Sequence, residues 1–452
     1  MVENCLQIDK PSDAKPVGVE PGSGHALVLH PYLKTSVSSA ENILNGRTPQ
    51  ARLEEAARLA AAIQLTVSFR IAVPIAKAQP SHLFGSGKVA ELAGMIADMA
   101  PDVVIVDGSL TPVQQRNLER AWNVKVIDRT GLILEIFGAR AQTREGRLQV
   151  ELAHLNYQRS RLVRSWTHLE RQRGGMGFLG GPGETQIETD RRLISERIAK
   201  LTRELDQVKR TREAHRKGRA KTPFPVVAFV GYTNAGKSTL FNRLTRAQVY
   251  ADDLLFATLD PTMRGIALPD GRRAIFSDTV GFISDLPTHL IASFRATLEE
   301  VLEADLIVHV RDVSHPESLA QKRDVLQVLE DLGLPEARRE TMIEVLNKID
   351  LLDPARQDEV RNTALRTQNV LPLSAVTGEG CEALLTAIAA RLSAGREIVD
   401  LRVKAGDGAN LAWLHQHAEV VELRHGEDGA AYVRAAIDPE DLARYRKRIA
   451  AG

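Results

Sequence analysis

The sequence contains little cysteine, few aromatic residues and no long apolar run. Among its 452 residues only Cys5 and Cys381 are cysteines, which excludes a disulfide framework. Aromatic residues make up 4% of the chain, and no apolar segment approaches the roughly 20 residues that cross a bilayer. The first residues also lack the basic stretch and the following apolar stretch of a secretory signal. We therefore expect a cytoplasmic protein without a membrane span.

The chain also lacks an excess of positive or negative charge, because the formal net charge at pH 7 is only +1. With 43% hydrophobic and 26% charged residues, the composition is that of an ordinary folded globular protein. The length predicts about three domains of roughly 100–200 residues each. Composition does not determine an oligomeric state, and we take a monomer as the expectation.

One stretch, residues 231–238 with the sequence GYTNAGKS, fits the phosphate-loop pattern G-x-x-x-x-G-K-[ST] without a mismatch. The apolar run PVVAFV precedes it and the helically spaced TLFNRLT follows it, so the loop connects a buried strand to a helix. In such a loop backbone N–H groups surround a phosphate, Lys237 reaches the β and γ phosphates, and the Ser238 hydroxyl binds Mg²⁺. A chance match in a glycine-rich turn is the alternative, which the strand and the helix disfavour. The residues predicted to bind the nucleotide here are Gly231, Tyr232, Thr233, Asn234, Ala235, Gly236, Lys237 and Ser238.

The region before the hairpin described below shows two kinds of pattern. Residues 1–25 are rich in proline, glycine and serine without periodicity, which predicts a disordered lead-in. From residue 26 to 146, short apolar runs alternate with helical stretches, which predicts an α/β domain with a mainly parallel sheet. Within it, residues 84–88 (FGSGK) resemble a fragment of a phosphate loop without the full spacing or a following Ser or Thr. We interpret this fragment as a turn and a helix start, with a second nucleotide site as the open alternative.

Residues 147–221 have the spacing of two amphipathic helices. In the first helix the series recurs at steps of three and four, with Arg159 in one slot and apolar residues in the others, namely Leu148, Leu152, Leu155, Leu162, Trp166 and Leu169. The second series is Ile187, Ile194, Ile198, Leu201, Leu205 and Val208. The pattern predicts an antiparallel helical hairpin with a coiled-coil-like seam.

The predicted hairpin has a glycine-rich tip, GGMGFLGGPGE at residues 174–184, which we expect to be non-helical. Four arginines flank this tip, Arg171, Arg173, Arg191 and Arg192. The second helix ends in a basic run, residues 209–221, in which Glu213 is the only acidic residue. A tolerant loop and a solvated helix face are the alternatives. We favour a finger that exposes Met176, Phe178 and backbone donors to a phosphate-rich surface.

Downstream of the phosphate loop, two segments indicate which base is read. The first is NKID, which comprises Asn347, Lys348, Ile349 and Asp350. It follows the apolar run MIEVL, so it lies at the carboxyl end of a strand, where open α/β sheets place ligands. The Asp350 carboxylate can accept from N1–H and the 2-amino group of guanine, which adenine cannot match. The second segment, Ser374, Ala375 and Val376, follows NVLPL and can offer a backbone N–H to the guanine carbonyl.

Two further motifs lie between the phosphate loop and NKID. The first, DTVG, follows the strand-like RRAIFS and comprises Asp278, Thr279, Val280 and Gly281. It fits the metal-side Asp and the γ-phosphate-sensing Gly of GTPases. The second, FATLDPT, contributes Phe256, Ala257, Thr258, Leu259 and Asp260. Thr258 is the candidate for a second Mg²⁺ ligand beside Ser238 in the triphosphate state, with Thr262 as the alternative. Four motifs in this order predict a GTPase, with Lys237, Thr258 and Gly281 as its catalytic residues.

The motifs GYTNAGKS, FATLDPT, DTVG and NKID resemble those of the translation-factor-related GTPases, and GGMGFLGGPGETQIETDRR resembles the HflX family in particular. The resemblance covers nearly the whole chain from about Leu27. It implies a cytoplasmic GTPase that slowly converts GTP to GDP and phosphate and binds the RNA and proteins of the large ribosomal subunit. It also implies a role in ribosome splitting, rescue or biogenesis, with the hairpin loop near the peptidyl-transferase centre.

The expected fold is α/β and multidomain. A phosphate-loop GTPase domain (222–396) follows the N-terminal α/β domain and the hairpin, and a small α+β domain (397–452) ends the chain with the order strand, helix, strand, turn, strand, helix. His415 and His417 in that last domain do not share a helix face, so we predict a structural role and no metal site.

Two questions stay open at this level. The partner can be the ribosome, as above, or a protein effector in a signalling GTPase that contacts no RNA; an RNA helicase that uses FGSGK for ATP is a weaker third reading. The catalytic step also lacks a side chain that orients the attacking water, because Phe282 stands where Ras-like enzymes carry the glutamine with that role. Asn234 can supply an oxygen ligand for an activating K⁺, as in similar potassium-activated GTPases, or it can simply suit a left-handed backbone.

Overall fold

The computed structural model describes residues 24–33, 48–172, 182–219, 224–246, 255–256, 259, 262–284, 300–393, 397–426, 429–437 and 439–450. The expected disordered lead-in lies outside these ranges apart from Gly24 and His25, and His25 already begins the first strand. Within the described part of the chain, no helix is both long enough and apolar enough to span a bilayer.

The N-terminal domain is the predicted α/β unit with a parallel sheet. Its elements are β1 (His25–Leu33), α1 (Pro49–Ala61), β2 (Thr66–Ile75), α2 (Ser86–Met99), β3 (Val103–Val106), α3 (Pro112–Trp122), β4 (Lys125–Asp128) and α4 (Arg129–Arg140). The strand order is β2-β1-β3-β4, and every neighbouring pair is parallel. Strand β3 is buried along its whole length because helices cover both faces of the sheet.

The FGSGK fragment forms a turn and the start of α2, which agrees with the favoured interpretation. Gly85 caps the helix in an extended conformation, and Ser86 is its first residue. The Lys88 ammonium pairs with Glu91 one turn later at 2.6 Å. Phe84 is buried in the core, so this fragment anchors the helix to the sheet.

The hairpin consists of α5 (Arg144–Gln172) and α6 (Pro182–Arg219). Leu201 is fully buried, and Arg197 on α6 pairs with Glu151 on α5 at 2.6 Å, which places the two helices side by side. Residues 182–184, expected to be non-helical, already belong to α6. Proline explains this difference, because Pro182 at the first position of a helix needs no hydrogen-bond donor. The remainder of the glycine-rich tip, residues 174–181, lies outside the described residues.

The GTPase domain, which we call the G domain, is built on one six-stranded sheet. Its elements are β5 (Val226–Gly231), α7 (Lys237–Thr245), β6 (Thr262–Ala267), β7 (Arg273–Asp278), β8 (Leu306–Asp312), α8 (Ser318–Asp331), α9 (Glu336–Glu340), β9 (Ile343–Asn347), a 3₁₀ turn (Ile349–Leu351), α10 (Pro354–Arg366), β10 (Val370–Pro372) and α11 (Cys381–Ser393). The strand order is β10-β9-β8-β5-β7-β6, with only β6 antiparallel to its neighbour. Strand β5 therefore sits inside the sheet, and its carboxyl end carries the phosphate loop.

The C-terminal domain follows the predicted element order: β11 (Glu397–Val403), α12 (Gly408–His417), β12 (Ala418–His425), β13 (Ala431–Ile437) and α13 (Pro439–Ala450). Its strands form an antiparallel sheet in the order β11-β13-β12. The Trp413 ring stacks on His417 at 4.3 Å and on Tyr445 at 5.3 Å between ring centroids. His417 therefore has a packing role.

Candidate nucleotide-binding site

The phosphate loop has a backbone that only glycine can adopt at two positions. A Cβ atom on Gly231 would lie 2.1 Å from the Val310 carbonyl oxygen. Gly236 has φ of +89°, and its Cβ would lie 2.2 Å from the Asn347 amide nitrogen. Asn234 has φ of +60°, a left-handed conformation that asparagine tolerates. The loop is thus wrapped tightly between β8 and β9 before α7 begins.

Lys237 is the buried cation of this loop. Its ammonium donates to the carbonyl oxygens of Gly231 at 3.1 Å and Tyr232 at 2.9 Å. Burial lowers the pKa of Lys237 to about 8, while the nearby Asp278 carboxylate opposes that shift. A phosphate group beside the ammonium would favour the charged form, because a second anion offsets the cost of burial.

Ser238 and Asp278 form the oxygen pair expected beside Mg²⁺. The Ser238 hydroxyl donates to the Asp278 carboxylate at 2.7 Å. Hydroxyl and carboxylate oxygens are the ligands that Mg²⁺ prefers, so the residues present fit this ion. The neighbouring Thr279 hydroxyl is buried and donates to the Phe229 carbonyl at 2.5 Å, which fixes the DTVG motif on β5.

Gly281 lies against the phosphate loop. A Cβ on this residue would be 2.8 Å from the Thr233 side chain and 3.1 Å from the Lys237 ammonium nitrogen. The next residue, Phe282, accepts a hydrogen bond from Thr233 N–H at 2.8 Å and donates one to the Gly231 carbonyl at 3.1 Å. The DTVG motif and the loop are therefore brought together as the sequence predicts. The Phe282 ring is buried in the hydrophobic core, which agrees with its inability to orient a water.

The base-reading segments are held together by Asn347. Its side-chain amide donates to the Ala235 carbonyl at 2.8 Å and accepts from Ala375 N–H at 3.0 Å. One side chain thus ties the phosphate loop to the Ser374–Val376 segment. Asp350 is exposed in the 3₁₀ turn that follows Asn347, where its carboxylate is accessible to a base.

Each domain matches a described protein family. Residues 50–138 and 140–219 match the N-terminal and middle regions of a GTP-binding GTPase family, residues 226–348 match the 50S ribosome-binding GTPase family, and residues 359–452 match the HflX C-terminal domain. GTPase HflX of Magnetococcus marinus is 53% identical over 402 residues, which cover 88% of this chain and 91% of the relative. GTPase HflX of Escherichia coli is 44% identical over 369 residues, covering 82% and 85%.

The chain belongs to the HflX family of GTPases. A human relative, putative GTP-binding protein 6, is 41% identical over 373 residues, which cover 81% of this chain and 70% of the relative. Membership confirms the predicted resemblance and makes the chain a GTP-binding enzyme that hydrolyses GTP. The alternative of a signalling GTPase without an RNA partner is not favoured by these matches.

The FATLDPT motif is only partly described in this HflX-family chain. Ala257, Thr258 and Asp260 lie outside the described residues. The side chains of Phe256 and Leu259 are buried in the core, and the Phe256 ring packs edge-on against Phe137 of α4 at 4.8 Å. Both side chains contribute to core packing, and the nucleotide contacts expected of these two residues stay a prediction. Thr262, the alternative to Thr258, opens β6 opposite Asp278.

One residue of the base-reading side, Arg243, was missed from the sequence, whereas Lys348 belongs to the predicted NKID motif. Arg243 on α7 donates to the carbonyls of Ala375, at 2.8 Å, and Val376, so it holds this segment in place. Lys348, with φ of +67°, pairs with the Asp312 carboxylate at 2.9 Å. Of the backbone N–H groups in the segment expected to contact guanine, that of Ala375 is bonded to Asn347 in this structure. Contacts between such distant positions leave no local signal that could have revealed them.

Proposed function

We propose that this chain is a cytoplasmic GTPase that associates with the large ribosomal subunit and acts in ribosome splitting, rescue or biogenesis. The G domain supplies the switch, and the hairpin supplies the surface for RNA. The match of residues 226–348 to the 50S ribosome-binding GTPase family supports this proposal.

The observation that carries the proposal is the long, basic hairpin. Helix α6 has 38 residues, which corresponds to roughly 57 Å at about 1.5 Å per residue. Arg191, Arg192 and Arg203 are exposed along it, while Leu201 is buried against α5. A helix that uses one side for its partner helix and presents arginines on the other suits a phosphate backbone. The basic run of residues 209–221 extends this charge toward the G domain.

Mg²⁺ belongs to this function, with Ser238 and Thr258 as its protein ligands and Asp278 beside them. The pair formed by Ser238 and Asp278 supports the ion, which would neutralise charge between the β and γ phosphates. Phe282 cannot orient the attacking water. In our proposal a ribosomal group or a bound cation assists hydrolysis in its place.

The cation can be K⁺ held by Asn234. The left-handed backbone of Asn234 also fits the simpler reading that the residue is there for its conformation. Intrinsic GTP hydrolysis in matched KCl and NaCl separates the two readings. Acceleration by K⁺ that Asn234→Ala abolishes supports the ion, and equal rates in both salts refute it.

Sedimentation with ribosomal subunits tests the ribosome proposal. The chain should pellet with large subunits when bound to a non-hydrolysable GTP analogue and remain in the supernatant with GDP. Binding should weaken steeply with salt, because each phosphate contact releases counterions. Lys237→Ala, which is expected to lose the nucleotide, is the control for nucleotide dependence. Absence of pelleting in every nucleotide state at low salt would refute the proposal.

A further inference from the structure

A buried arginine of the N-terminal domain binds the G domain directly after the DTVG motif. Arg129, the first residue of α4, is 5% exposed. Its guanidinium donates to the backbone carbonyl and to the hydroxyl of Ser284, both at 3.1 Å. The segment 282–284, which follows the γ-phosphate-sensing Gly281, is thus held by another domain.

Glu55 on α1 connects the same contact to the phosphate loop. Its carboxylate accepts from Arg129 at 2.7 Å and from the Tyr232 hydroxyl at 3.0 Å. The Tyr232 oxygen in turn accepts from Ser284 N–H at 2.9 Å. Arg52, also on α1, donates to the Ser284 hydroxyl at 2.9 Å. The loop and the segment 282–284 therefore share one set of partners in the N-terminal domain.

The residue before Arg129 holds the hairpin. Asp128 is 1% exposed, and its carboxylate accepts from the Tyr157 hydroxyl at 2.6 Å and from Arg161 at 2.7 Å. Both partners lie on α5, and the Arg161 guanidinium stacks over the Tyr157 ring at 4.1 Å from its centroid. Two adjacent residues thus bind the hairpin on one side and the G domain on the other.

This cluster is charged and buried. Burial alone would lower the pKa of Arg129, but the carboxylates of Asp107 and Glu55 raise it instead, so the guanidinium stays charged. Arg129 also contacts Asp107 at 2.5 Å. A buried charge without its partner is costly, so the cluster strongly favours one arrangement. A displacement of α5 must therefore either move Asp128 and Arg129 together or break their bonds.

We propose that Asp128 and Arg129 are positioning residues that couple the hairpin to the segment 282–284. Docking of the hairpin changes the geometry beside Gly281 and with it the rate of GTP hydrolysis. The inference rests on the proposed function for the identity of the docking partner. The coupling itself requires no ribosome, because linkage is reciprocal and the bound nucleotide must also affect the hairpin.

Amide hydrogen exchange of α5 residues 150–161 tests the coupling in the isolated chain. With GDP and with a non-hydrolysable GTP analogue, wild-type protection should differ by about tenfold, a typical size for coupled sites. Tyr157→Phe removes a hydroxyl on the hairpin side, and Ser284→Ala removes one on the G-domain side. Each should abolish the difference. Glu151→Gln, which breaks the ion pair with Arg197 inside the hairpin, is the matched control and should keep it.

The double variant Tyr157→Phe/Ser284→Ala should behave like either single variant, because both act on one connection. With saturating large subunits, stimulated kcat should fall about tenfold in Tyr157→Phe, and subunit affinity should depend less on the bound nucleotide than in the wild type. Equal protection of wild-type α5 in both nucleotide states, or a difference retained in Tyr157→Phe, overturns the coupling. A wild type that shows the exchange difference but neither binds large subunits nor is stimulated by them refutes the proposed function and leaves the coupling intact.

Discussion

Two turns of this chain place glycines and then a lysine at the start of a helix, residues 84–88 in the N-terminal domain and 231–238 in the G domain. Lys88 is partly exposed and pairs with Glu91, and nothing lies within 4 Å of a Cβ on Gly85 or Gly87. Lys237 is buried, and the glycines before it have no room for a side chain.

The difference shows what makes a glycine turn into a phosphate site. The loop 231–238 begins directly at the end of β5 inside the sheet, whereas β2 ends at Ile75, well before FGSGK. Contacts with Val310 and Asn347 enforce the strained backbone of the loop 231–238 around its buried lysine. Such strain persists where the surrounding structure enforces it, and it is common at functional sites.

Replacing the two lysines gives the largest contrast. Lys237→Ala should weaken GTP binding about 100-fold, because the phosphates lose a buried charged hydrogen-bond donor. Lys88→Ala, the matched change in the other turn, should leave GTP affinity unchanged. Equilibrium titration with a fluorescent GTP analogue measures both. Tight binding by Lys237→Ala would mean that the loop is a false match.

Asp350→Asn tests the base-reading side of the same site. GTP affinity should fall about thirtyfold, since the carboxylate accepts from guanine and an amide NH₂ cannot accept in its place. Xanthosine nucleotides should gain affinity, because their 2-oxo group can accept from the new amide. Competition titrations with both nucleotides provide the measurement. Unchanged GTP affinity would reject the assignment of Asp350.

Alanine at the two kinds of glycine sharpens the comparison. Gly236→Ala should reduce GTP affinity about tenfold, because φ of +89° is strained for alanine and the new Cβ would displace Asn347. Gly87→Ala lies in the first turn of a helix with open space around it, so it should leave binding intact and stabilise the fold by up to about 1 kcal/mol. Thermal unfolding and GTP titration of both variants distinguish them. Equal effects would contradict the strained-loop account.

How much of this contrast the sequence predicts depends on distance along the chain. The strand, loop and helix around Lys237 are recognisable because they are contiguous and follow a known spacing. The parallel N-terminal sheet and the C-terminal element order were predicted for the same reason. Helix α6 begins earlier than expected because Pro182 suits a first helical turn, whereas the prediction gave more weight to the glycines around it.

The long-range links within the G domain and between domains were not predictable from the sequence. Arg243 reaches the 375–376 carbonyls, and Arg129 reaches Ser284, across more than a hundred residues in each case. In the sequence, each of these arginines looks like an ordinary helix residue, since a hydrogen bond to a distant carbonyl leaves no periodic pattern. Likewise, Phe256 is part of a motif in the sequence but packs against Phe137 once the domains meet.

A smaller effect is expected from pH. With a pKa of about 8, Lys237 is mostly charged below that pH and mostly neutral above it. Phosphate favours the charged form, so GTP affinity should fall as the pH rises through 8, by about fourfold between pH 7 and 8.5. Calorimetry in two buffers of different ionisation enthalpy should detect proton uptake at pH 8.5. Binding without proton uptake there would mean that the lysine is already charged in the free protein.

The central claim is that the nucleotide site hydrolyses GTP and the hairpin contacts the ribosome. It is tested most directly by GTP hydrolysis in a variant with a short linker in place of residues 174–183. Its intrinsic rate should match the wild type, because the hairpin tip is remote in sequence from the phosphate-binding residues. Stimulation by large ribosomal subunits should disappear, because the surface that contacts RNA is gone. Stimulation that survives the replacement would contradict the account and reduce the glycine-rich tip to a connector.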